Sequence, residues 1–320
     1  MKVRPCISGL LAGLLALITL IPSAQAADLS VSPRPVPPIN TASRESVSDA
    51  YNNFFLPLVE QVNTNGIGWT GSVANCLAGS TNDIGRTMTL EAINYFRAMT
   101  GLGALAENTT FTSQAQLAAL YLAANPQRGL PSDHVLSPDG ACYSAAGAEA
   151  ALNANLAQGV VGPEAVAAFI RDDTGTASQA NRSRVGHRRW LLDPGQTEIG
   201  LAGAMADDEP ATGFTVLRID PQADPSSSSS QRFPNQGYFP AELLSPTTAW
   251  SYSLGRADFS AATVSVTHNG QAVAVNQKPV SNGAGANTLV WELADFATPV
   301  GLAQDRYQVS ITGISGGARS

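Results

Sequence analysis

Helix-like patterning runs through this chain to about residue 171, and strand-like patterning takes over after residue 190. A run of helices followed by a run of strands belongs to the α+β class. Val47, Tyr51, Phe54, Phe55 and Leu58 fall at helical spacing, and Pro57 limits or kinks that helix. A second helix is predicted from Thr89 as its cap, with Leu90, Ile93, Phe96 and Met99 as its buried stripe and Gly101 and Gly103 ending it. A third opens at Thr112 or Ser113 and stops at Asn125-Pro126. Further helical stretches are expected from about Ala145 to Gln158, and from Gly162-Pro163 to about Arg171.

The second half reads differently. Glu198–Ala202 and Phe214–Ile219 are predicted strands, and Pro221 to Gln231 is a serine-rich surface loop. From about Ala249 the pattern is all-β. Thr263–Thr267 alternates, His268-Asn-Gly270 is a hairpin turn, and Leu289–Leu293 and Tyr307–Ile311 complete a small sandwich-like set.

Hydrophobic residues make up 44% of the 320, enough for a true core and too many for a disordered chain. The formal net charge is -7, with no long Lys/Arg run, which argues against nucleic-acid binding. Residues 1–26 have the form of a signal peptide: a basic start, an apolar run from Ile7 to Ile21, and Ala24-Gln25-Ala26 as a cleavage site. The mature chain is therefore expected to be secreted, extracellular or periplasmic, with no membrane span after cleavage. Residues 27–44 form a Pro-rich linker expected to be mobile, and 45–84 an N-terminal extension. Removing the signal takes Cys6 with it. Cys76 and Cys142 then either pair in a disulfide, as an oxidising compartment permits, or remain two unrelated thiols.

Few residues carry obvious chemistry. His268 lies at a hairpin tip and reads as surface. His134 and His187 lie at element edges, 53 residues apart. Gly313-Ile-Ser-Gly-Gly317 lacks the helix that a nucleophile elbow needs, and Gly66-Ile-Gly-Trp-Thr-Gly71 follows a helical pattern and reads as a turn. The run Asn181–Arg189 holds four arginines. It reads as a solvated loop paired to acids such as Asp172 and Asp173, or as an anion-binding patch.

Four segments in order resemble the CAP superfamily of cysteine-rich secretory, antigen 5 and pathogenesis-related proteins. Asn94-x-x-Arg97 with Gly101, Leu105 and Asn108 resembles its first helix and turn. His134 falls at its first motif histidine. Asn155-Leu-Ala-x-Gly159 is similar to the tail of its G-E-N-I-A-x-G signature. Gly186–Pro194 with Thr197–Gly200 resembles the bacterial form of its second histidine motif. The resemblance implies a CAP/SCP-like domain at 85–245, built as an α-β-α sandwich, followed by a β-sandwich-like domain at 249–320.

It also implies a cleft where His134 and His187 face each other, with Asp172 beside one of them. Ala154 stands where the family has an acid, and Glu149 is the nearby substitute. A divalent cation, zinc or calcium, held by His134 and His187 would then bind weakly. Three functions follow as expectations. The first is a non-enzymatic protein, without a required cofactor, binding an envelope component, a small apolar ligand, a lipid or a protein. The second is a metal-dependent hydrolase using His134, His187 and Asp172. The third is a vestigial cleft with an adhesive β tail.

Overall fold

The computed structural model describes residues 32–173, 179–205, 212–223, 229–282, 285–296 and 305–316. Residues 1–26, read from the sequence as a signal peptide, lie outside them. No helix among the described residues is long and apolar enough to cross a membrane.

The first helical rod has three parts. Helix α1 (Arg44–Ala50) is capped by the Ser43 hydroxyl, which accepts the Ser46 N–H. A π-helix covers Tyr51–Phe55, and α2 (Leu56–Asn65) follows. The Leu56 N–H reaches back five residues to the Tyr51 carbonyl. This wide turn comes just before Pro57, which has no N–H and sits in the first turn of α2.

Helix α3 spans Asp83–Met99, starting earlier than the expected Thr89 cap. Its cap is Asn82, whose Oδ1 accepts the Gly85 N–H at 2.7 Å. Thr89 is instead inside the helix and donates its hydroxyl to the Gly85 carbonyl. Glycine is needed at 85 because a Cβ there would lie 2.8 Å from the Ile67 carbonyl oxygen. The stripe Leu90, Ile93, Phe96 and Met99 is buried as patterned. Gly101, at φ +74°, follows the C-terminal turn.

After strand β1 (Ala106–Glu107) come α4 (Thr109–Ala124), α5 (Ala145–Leu152) and β2 (Ala154–Gln158). The single helix expected to Gln158 is thus a helix and a strand. Residues 154–158 pair antiparallel along 214–218, and that tertiary ladder overrides the helix preference of an Ala-rich segment. Helices α6 (Gly162–Arg171), α7 (Gln179–Arg182) and α8 (Gly186–Leu191) precede β3 (Glu198–Met205) and β4 (Gly213–Arg218).

The four strands form one sheet in the order β1-β3-β4-β2, with β1 parallel to β3 and the other pairs antiparallel. Period-2 alternation separates its faces. Ala157, Ile199, Leu201 and Leu217 join the core under α2, α3 and α6. Leu156, Ala202, Ala204, Phe214 and Val216 join the core under α4 and α5. The result is three layers, α-β-α, as the resemblance implied.

Among the described residues, the strand pairs of the C-terminal region are antiparallel. Its strands are β5 (Gln231–Phe233), β6 (Trp250–Ser253), β7 (Ala257–Asp258), β8 (Thr263–His268), β9 (Gln271–Val273), β10 (Val275–Gln277), β11 (Thr288–Leu293), β12 (Tyr307–Thr312) and β13 (Ser315–Gly316). One sheet runs β10-β11-β6-β5 and another β12-β8-β9. Trp250, Leu289, Trp291 and Leu293 of the first share a core with Val264 and Val266 of the second. Strand β5 pairs with β6, so the β region draws in residues upstream of 249. His268 opposes Gln271 across Asn269 and Gly270, both at positive φ, as a two-residue hairpin requires. The His268 ring also stacks on Tyr307 at 4.4 Å and bonds Asp305 at 2.8 Å, so it is a packed residue as well as a surface one.

The described part of the Pro-rich segment is docked, a correction to its reading as a mobile linker. Val36 and Ile39 pack on the core beside α3. Arg34 forks onto the buried Glu91, with Nη2 at 2.7 Å and Nε at 3.0 Å from Oε2. A buried carboxylate needs such a partner, and bidentate guanidinium contact supplies it.

Candidate functional site

The motif residues Asn94 and Arg97 prove to be fasteners. Asn94 exchanges two hydrogen bonds with the Leu105 backbone. Arg97 donates to the carbonyls of Gly103, Leu191, Asp193 and Gln196, tying α3 to the turn after α8. Burial lowers its pKa to about 10, so it remains charged at neutral pH.

Asp172 is the C-cap of α6 and adopts a left-handed conformation at φ +55°. That turn directs its carboxylate onto the start of α8. Oδ2 accepts the His187 N–H at 3.1 Å, and Oδ1 lies 2.9 Å from His187 Nδ1. A carboxylate only accepts, so His187 Nδ1 carries a proton and donates it to Asp172. Asn181 completes the group. Its amide nitrogen donates to Asp172 Oδ1 at 2.8 Å and lies 3.1 Å from His187 Nδ1. Asn155 of β2 donates to the His187 carbonyl at 3.0 Å. The imidazole packs against Phe169 at 4.9 Å. Gly186 is obligatory here, because a Cβ would lie 2.0 Å from Asn181 Oδ1.

His134 stands at the same end of β2. Its φ is +61°, and its Nδ1 bonds the Ala151 carbonyl at 3.0 Å. Burial lowers its pKa, the Ala151 and Ala154 carbonyls oppose that, and the neighbouring His187 and Arg184 reinforce it. The residue after His134 and the one after Ala151 are apolar and exposed: Val135 at 54% and Leu152 at 55%.

Glu149 does not join this group. Its side chain is exposed and faces Arg218, with Oε1 3.7 Å from Nη2. Asp172, for its part, already serves three donors. Of the residues that the resemblance offers for a divalent cation, Glu149 is turned away and Asp172 already accepts three hydrogen bonds, so neither acid is poised beside the histidines as a ligand. No set of three His, Cys, Asp or Glu side chains that could hold a metal occurs among the described residues.

The arginine run is neither a solvated loop nor an anion patch at its C-terminal end, because Arg188 and Arg189 are buried. Arg188 donates to the Ile170 and Arg171 carbonyls and to Ser251 Oγ, and its guanidinium lies 3.8 Å over the Phe233 ring. Arg189 donates to the Ser281 and Ala286 carbonyls. Burial lowers Arg188 to about 9 and Arg189 to about 10. Ser251 and Phe233 for Arg188, and both partners of Arg189, lie far away in sequence, so local pattern could not reveal them.

Cys76 and Cys142 form a disulfide, with Cα atoms 5.1 Å apart. It ties the loop after α2 to the loop that carries His134.

These observations meet an independent one. Residues 90–217 match the family model described as the cysteine-rich secretory protein family, CAP. The segment is a CAP domain. No curated protein matches the chain. The CAP match spans α3 to β4, the three-layer unit that holds Asp172, His187 and His134. The β sheets lie beyond it. Asn181 was not singled out by the sequence, although a small amide opening the run that ends in Gly186-His187 is a local signal for it.

Proposed function

We propose that this CAP-domain protein is exported and works by binding rather than catalysis, taking an envelope component, a small apolar ligand or a protein at the end of the sheet that holds His134 and His187. The observation that carries this reading is the pair of exposed apolar side chains, Val135 and Leu152, beside a His134 whose imidazole is already bonded to the backbone. Contiguous exposed apolar surface marks contact sites, and Val135 and Leu152 are the side chains that would supply it here. The hydrogen bonds of Asp172 support it, since that carboxylate is engaged in holding His187 and Asn181. No cofactor is required. The test is co-sedimentation of the mature chain with insoluble cell-wall material and with lipid vesicles. Binding should be lost in the Val135→Asp/Leu152→Asp double variant. Equal binding by variant and wild type would contradict this face as the binding site.

A hydrolase reading is favoured by one observation, the Asp172–His187 hydrogen bond, which fixes the tautomer with Nε2 free to accept a proton or a ligand. Turnover of ester or peptide substrates that is lost in His187→Ala would promote it.

A further inference from the structure

Two short turns carry Asp172 and His187, and each faces both ways. Asp172 bonds His187, while the next residue, the buried Asp173, accepts from the Ser245 and Thr248 hydroxyls, the latter at 2.6 Å. Those two residues lie just ahead of β6 and lead into the C-terminal sheets. His187 bonds Asp172, while the next residue, Arg188, reaches Ser251 in β6 and stacks on Phe233 in β5. Arg189 then holds the backbone at Ser281 and Ala286, ahead of β11. On the other side of His187, Val185 sits at φ +45°, a conformation unfavourable for a β-branched residue. It is fully buried against Ala249 and Val290 of the β region.

From this we infer that the β region is a positioning element for the Asp172–His187 pair, acting through Asp173, Arg188 and Val185, and not a detachable module. The two turns lie between the sheet of the CAP domain and the sheet β10-β11-β6-β5. Groups outside the CAP match hold them from behind, namely the Ser245, Thr248 and Ser251 hydroxyls, the Phe233 ring, and the Ser281 and Ala286 carbonyls. A change in the β region is therefore transmitted to the Asp172–His187 pair within one or two residues at each turn. The inference rests on the geometry of the pair and holds whether the site binds or catalyses.

Hydrogen exchange on the full mature chain tests it. The reporter is the His187 backbone N–H, which donates to Asp172, and the reference is the Leu120 N–H in α4, on the far side of the CAP sheet. Arg188→Lys and the milder Thr248→Val and Ser251→Ala variants are compared with wild type. We expect exchange at His187 to rise at least tenfold relative to Leu120 in Arg188→Lys, or in Thr248→Val should Arg188→Lys not fold. The His187 Nδ1 proton signal should broaden in parallel. Asp173→Asn, which keeps an acceptor for the two hydroxyls, should stay close to wild type. A selective rise below tenfold, or a rise shared equally by Leu120, would overturn the inference and leave these residues a general structural role.

Discussion

Asp172 Oδ1 lies 2.9 Å from His187 Nδ1, and the same carboxylate accepts the His187 backbone N–H through its other oxygen. One side chain thus fixes the ring, the tautomer and the start of a helix. Replacing it removes three acceptor contacts in a buried place. Asp172→Ala should cost about 3 kcal/mol of stability, since hydrogen bonds to charged groups are worth about 1.5–3 kcal/mol and buried donors left unpaired add to that. Urea denaturation measures it. A loss under about 1 kcal/mol would show that the network is incidental.

Arg34 closes the N-terminal strap over Glu91. Arg34→Ala leaves a buried carboxylate without its bidentate partner. Breaking a fully buried pair costs about 3–5 kcal/mol, and the exposed position of Arg34 reduces that to about 2 kcal/mol. The strap should then be cut faster by protease at residues 35–43. Unchanged cleavage would contradict the docked position.

The Cys76–Cys142 bridge closes a loop with a sequence separation of 66 residues. Chain entropy gives such a bridge ~4 kcal/mol. Cys76→Ala/Cys142→Ala should lower the denaturation midpoint accordingly, and free-thiol labelling of the native wild type should find neither cysteine reactive.

His134 is held below its ordinary pKa of 6.5, chiefly by burial. The unfolded chain then binds a proton at a higher pH than the native one. Stability is full above about pH 6.5 and is lost as pH falls through that value toward the lower native pKa. His134→Gln should flatten this part of the curve. Thermal denaturation of both proteins between about pH 7.5 and about pH 5 gives the difference, and parallel curves would contradict the assignment.

Local pattern made much of this fold legible. The stripe Leu90, Ile93, Phe96 and Met99 was readable from its spacing, as were the Asn269-Gly270 turn and the alternation of β8. Pairing between distant segments was not. Residues 154–158 read as helix because alanine favours it, and only the ladder to 214–218 makes them a strand. Arg188 and Arg189 read as solvated because nothing nearby in sequence shows that Ser251, Ser281 and Ala286 await them. Arg34 read as linker for the same reason, its partner Glu91 being 57 residues away. At the site, the motifs pointed to His134, His187 and Asp172. They did not reveal that Glu149 faces Arg218, or that Asn181 shares the Asp172 carboxylate.

We propose that the His134–His187 end of the CAP domain binds its partner without a metal. Titration calorimetry of the mature protein with zinc and then calcium tests it most directly. No saturable binding in the micromolar range is expected, and the His187→Ala variant should behave like wild type. Tight stoichiometric binding of either ion, abolished by His187→Ala, would contradict the account.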